Sequence, residues 1–99
     1  MTAVVKVSVG DLRQVFEVLA AHVEAVAGTE ISLSTDMFWS VPPTDLFDVH
    51  REPRELTIGQ ISESWDNLLA LREDPSSALS FGLVWMADVI RAIGLSVVR

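Results

Sequence analysis

Between Glu30 and Val41 the apolar residues of this chain recur at every second position, whereas on either side they recur at every third or fourth. A change of period constrains a short chain strongly, because side chains alternate faces along a strand but return to one face every ~3.6 residues along a helix. Ile31, Leu33, Thr35, Met37, Trp39 and Val41 form one row; Glu30, Ser32, Ser34, Asp36 and Ser40 form the other, with Phe38 as its apolar exception. The pattern predicts a half-buried strand with the odd row inward and Phe38 outward. It is longer than the usual five or six residues, so it is expected to bend or to fold into a hairpin near Ser34–Asp36. A strand needs a neighbour, for which "VVKV" near the start, "LSVV" near the end and a second subunit are all available. Pro42 and Pro43 stop it, since proline cannot donate to a ladder.

The flanking segments read as helices. "VSVGDL" at residues 7–12 and "LTIGQI" at 56–61 look alike, and both fit a helix start. Ser8 and Thr57 would be the capping hydroxyls, Asp11 and Gln60 the reciprocal partners, and the pairs Val7/Leu12 and Leu56/Ile61 hydrophobic staples. Neither has the lysine and preceding buried strand of a phosphate-binding loop. The first helix is predicted from Val9 to Ala27, with Leu12, Val15, Phe16, Leu19, Val23 and Val26 on one face and Gly28 as its stop. A second is predicted from Ile58 to Arg72, with Ile61, Trp65, Leu68 and Leu69 inward, closed by Asp74-Pro75. A third, from Phe81 to Ile93 with Gly94 as its stop, is apolar almost all round, which suits a helix buried on several sides or one that pairs with another subunit. Residues 44–55, "TDLFDVHREPRE", lack any period and read as an ordered surface loop, a common place for function.

Charge narrows the function. The chain has 99 residues and a net charge of −7, and that surplus lies wholly between Glu30 and Asp74, where ten acids face three arginines. Such a field repels nucleic acid and anionic lipid and speeds encounter with a basic protein. The seven bases are scattered and form no stripe, so neither nucleic acid nor membrane is expected as a partner. The apolar run Leu79–Ile93 holds Asp88 and Arg91 and is shorter than the ~20 residues of a bilayer span. "MTAVVKVSVGD" lacks the long apolar run of a secretory signal, so a cytoplasmic location is expected.

Catalysis finds little support. Cysteine and tyrosine are absent, and His22 and His50 are the only histidines available as candidate bases. No nucleophile elbow or zinc-binding helix motif occurs. In "DVHRE", Asp48, His50 and Glu52 share a side of an extended segment, but a solvated loop with its acids paired to Arg51 and Arg54 is the simpler reading. No enzyme, no cofactor and no metal site is therefore expected. Protein binding fits better: Phe38 between Asp36 and Ser40, and Phe47 between Asp45 and Asp48, are aromatic rings in acidic surroundings, the combination from which binding hot spots are made.

Three segments, "DMFWSVP" (36–42), "ELTIGQISESW" (55–65) and "LVW…RAIG" (83–94), carry a resemblance. Together they resemble a group of short bacterial proteins of mostly unassigned function, marked by an Asp-x-aromatic-Trp-x-Val/Ile-Pro segment and a Leu-Thr-Ile-Gly-Gln-Leu-Ser…Trp segment. The resemblance covers roughly residues 30–94 and implies kinship with immunity proteins of contact-dependent or polymorphic toxin systems, some of them paired with ribonuclease-like toxins. The expectation is thus one α+β domain, three helices on a small antiparallel sheet or hairpin, acting as an immunity-type protein. It would neutralise a cognate basic toxin through Asp36, Phe38, Asp45, Phe47, Asp48, Glu52, Glu63 and Asp66. The alternative is a self-associating structural or regulatory protein, a homodimer through the third helix or a strand edge.

Overall fold

The computed structural model describes residues 4–97. The fold is small α+β, with four α-helices and a two-stranded antiparallel sheet among those residues, the class that the change of period predicts. By its internal contacts the chain divides into two compact units, Met1–Ser32 and Leu33–Arg99. Met1–Ala3, at the head of the segment read for a signal, and Val98, in "LSVV", lie outside the described residues.

The first unit is one helix, α1 (Val9–Ala27), with short irregular flanks among the described residues. Its ends are those expected: the Ser8 hydroxyl accepts the Asp11 N–H at 3.2 Å, and Gly28 closes the last turn at φ 85°, its N–H donating to the Glu24 carbonyl at 2.8 Å. A positive φ is where glycine has no side-chain penalty. No residue of α1 is buried.

The second unit opens with the ribbon β1 (Met37–Ser40) and β2 (Thr57–Gln60), paired in the register Met37–Gln60, Phe38–Gly59, Trp39–Ile58 and Ser40–Thr57. Two expectations change here. The neighbour of the strand is neither "VVKV", which is irregular, nor "LSVV", whose described residues are helical, but "TIGQ" itself. The second of the twin stretches is consequently a strand, and its helix, α3 (Ile61–Ala70), starts three residues later than predicted and ends at Ala70. The facing is also reversed. Phe38 is half-buried against Gly59, whereas Met37 and Trp39 are exposed. A side chain on Gly59 would meet the Phe38 ring at 3.0 Å or nearer, so glycine opens the seat that turns Phe38 inward.

Between the strands, Pro43–Leu46 forms the short helix α2, with Pro43 at its first position, where the missing N–H costs nothing. After α3, the segment Pro75–Ser77 makes a 3₁₀ turn, Ala78–Gly82 a π turn, and Leu83–Val97 the helix α4. Asp74 opens this run by accepting the Ser76 N–H at 3.2 Å. Gly94 does not stop α4, which continues through it to Val97. The helical run from Pro75 to Val97 is, by length and composition alone, enough to cross a bilayer, because the turns ahead of α4 extend the shorter stretch read from the sequence. α3 packs along α4, and among the described residues the buried apolar side chains are Ile61 at the start of α3 and Val89 on α4. Gly82 is buried where Leu71 comes closest, and Phe81 stacks on Trp85 one turn on, with ring centroids 5.7 Å apart.

Candidate protein-binding surface

The acids singled out above divide into those used within the fold and those left to solvent. Asp36 is used most fully. α3 has no side-chain cap from its own N-cap residue, Gln60. Asp36, 26 positions before Ser62, fills that role: its carboxylate accepts the Ser62 N–H at 2.7 Å and the Ser62 hydroxyl at 2.9 Å. Its carbonyl accepts the Ile61 N–H at 2.8 Å. These bonds, led by the one from the Ser62 N–H, favour the ionised form and hold the Asp36 carboxyl below its ordinary range.

Asp45 is buried on α2, 8% exposed. It accepts the Arg54 N–H at 3.2 Å and meets the Arg54 guanidinium at 3.5 Å, closing the loop that follows α2 into a clasp. Asp48 makes a local turn with the His50 N–H at 3.2 Å and an ion pair with Arg51 at 3.3 Å. Asp48 is thereby engaged within its own loop, and among the described residues no three metal-ligating side chains converge. Asp88, which interrupts the apolar run of α4, is a buried link. It accepts the Ser64 hydroxyl at 3.4 Å across the α3–α4 seam and the Arg91 guanidinium at 3.1 Å. Burial outweighs these partners and pushes its carboxyl up.

Of the eight residues expected to contact a partner, three acids, Asp36, Asp45 and Asp48, hold the fold's own polar groups, and Phe38 sits under the ribbon. The other four face water: Phe47 is 81% exposed, and Glu52, Glu63 and Asp66 are exposed with no ion pair or side-chain hydrogen bond among the described residues. The ribbon adds what sequence reasoning missed. On its outer face Trp39 and Ile58 are direct cross-strand neighbours, 69% and 61% exposed, with Met37 on the same face at 59%. The signal was available in "TIGQ", whose β-branched pair and glycine favour a ribbon strand over a helix start. The exposed face of the ribbon offers a large aromatic side chain, and the exposed carboxylates a surplus of negative charge.

No family model, curated protein or solved structure matches this chain.

Proposed function

We propose that the chain is a non-enzymatic, immunity-type protein that binds a basic partner, a toxin domain of the kind that includes ribonucleases, through the outer face of the β1–β2 ribbon. The exposed Trp39–Ile58 pair carries this reading. A cross-strand aromatic–aliphatic pair in water is a large, rigid apolar anchor, and such anchors dominate interface energetics. The unit that bears it holds ten acids against five arginines, and Glu52, Glu55, Glu63, Asp66 and Glu73 are exposed. Those carboxylates would steer a basic surface and compete for the Lys and Arg side chains with which a nuclease grips phosphate. Inhibition of this type requires occupancy and no chemistry.

The test is calorimetry between the purified chain and the basic C-terminal toxin domain encoded in a neighbouring reading frame. Trp39→Ala should weaken binding by at least ~30-fold, the loss typical of a hot-spot residue. Undiminished binding by that variant, or no binding by the native chain, refutes the reading.

Self-association is the second reading. Among the described residues each strand of the ribbon pairs on one side only, and α4 leaves Leu83, Val84 and Leu95 exposed. Light scattering of the native chain, compared with Trp39→Ala and Leu83→Glu variants, decides whether either surface holds two copies together.

A further inference from the structure

The first unit presents a surface that this proposal does not use. In α1 the residues Val9, Leu12, Phe16, Leu19, Val23 and Val26 follow one another at steps of three, four, three, four and three. This alternation fits the a/d seam of a coiled coil, with Val15, 52% exposed, flanking Phe16 on the same face. Five of the six are exposed and Val23 is half-buried, and the flanks at residues 4–8 and 28–32 are too short to cover them. A 19-residue helix with five valines is marginal in water by itself, so the seam calls for a partner.

We infer that the partner is α1 of a second copy, packed antiparallel about a twofold axis between Phe16 and Leu19. The order of the seam residues supports that register. Reversed end to end, the seam superimposes on itself, so that Val9 lies beside the partner's Val26, Leu12 beside the partner's Val23, and Phe16 beside the partner's Leu19. Every knob then has a seat, and the twofold repeats each pairing, as an isologous interface requires. Arg13, which with Val9, Leu12, Phe16, Glu17 and Ala20 lines a shallow depression along one side of the seam, comes within a turn of the partner's Glu24 at both ends. Antiparallel packing also aligns the helix dipoles favourably. The exposed parts of the seam amount to on the order of 500 Å² per copy, so the pair would bury about 1,000 Å², at the lower limit of specific interfaces.

The experiment is sedimentation velocity on the full chain over a range from micromolar to hundreds of micromolar. A concentration-dependent doubling of mass is expected, and Phe16→Glu should weaken it about a hundredfold or more by placing an unpaired charge in the seam. Single cysteines test the register independently, because the native chain has none. Residues 9 and 26 lie about 25 Å apart along the helix, beyond disulfide reach. A mixture of Val9→Cys and Val26→Cys chains should therefore form the mixed disulfide much faster than either chain alone links to itself. A monomer at every concentration, a dimer that survives Phe16→Glu, or self-linking of Val9→Cys as fast as mixed linking would overturn the proposal.

Discussion

Asp36 and Asp88 are both carboxylates in contact with α3, and their surroundings move them in opposite directions. The amide and hydroxyl of Ser62 stabilise the ionised Asp36, so this group contributes stability above its ordinary value of 3.8 and loses it as the pH falls through and below that value. Acid titration of unfolding should show that loss in the native chain and not in Asp36→Asn, which should also melt lower at neutral pH; superimposable pH profiles would exclude the capping role. For Asp88 the sign reverses. Burial disfavours its charge, so the native fold takes up a proton there above 3.8, and stability rises as the pH falls through that elevated range. Asp88→Asn retains an oxygen for the Ser64 hydroxyl and should be no less stable than the native chain at pH 7 in a urea titration. A marked loss there would show that the ion pair with Arg91 outweighs the cost of desolvation.

At the level of elements, the ribbon depends on one steric vacancy. Gly59→Ala drives a methyl group into the Phe38 ring and should destabilise the unit by about 1–3 kcal/mol. Adding Phe38→Leu should recover part of that loss, a coupling that a double-mutant cycle measures; strictly additive losses would mean that the two side chains do not meet. This contact also explains what could be read from the sequence and what could not. α1 was legible to the residue, because Ser8 and Gly28 are local signals at either end of an unbroken stripe. The α+β class followed from the switch of period. β2 was hidden because Thr57 and Gln60 imitate a capping box, and local capping chemistry cannot register that Phe38 needs a glycine opposite it. The same blindness reversed the facing of β1, since a period-two pattern gives two faces without saying which one the rest of the chain will cover. The start of α3 was misplaced for a related reason: its cap comes from Asp36, far away in sequence. Of the eight residues that charge and aromatic placement single out, Phe47, Glu52, Glu63 and Asp66 are exposed, and the Trp39–Ile58 pair was missed along with the strand that creates it.

Considered as a whole, the molecule carries a net charge of −7 and apolar surfaces of two kinds, which makes ionic strength a discriminating variable. Two copies of one acidic chain repel, so pairing through an apolar seam should tighten as salt rises. Capture of a basic partner should weaken under the same change, because salt screens the attraction that steers it. Measuring both across a salt series checks the assignment of each surface: dimerisation weakened by salt would point to ionic contacts in place of the seam, and partner binding indifferent to salt would remove the acids from the recognition. The bond from Ser62 back to Asp36 also bears on how such a chain reaches its native state. With no starting signal of its own, α3 gains its first fixed turn only when the two strands have met across the intervening loop. A peptide of residues 55–74 is therefore expected to be largely uncoiled in water. In the intact chain the birth of this helix should wait on a distant closure and be recorded late in a pulse-labelling experiment.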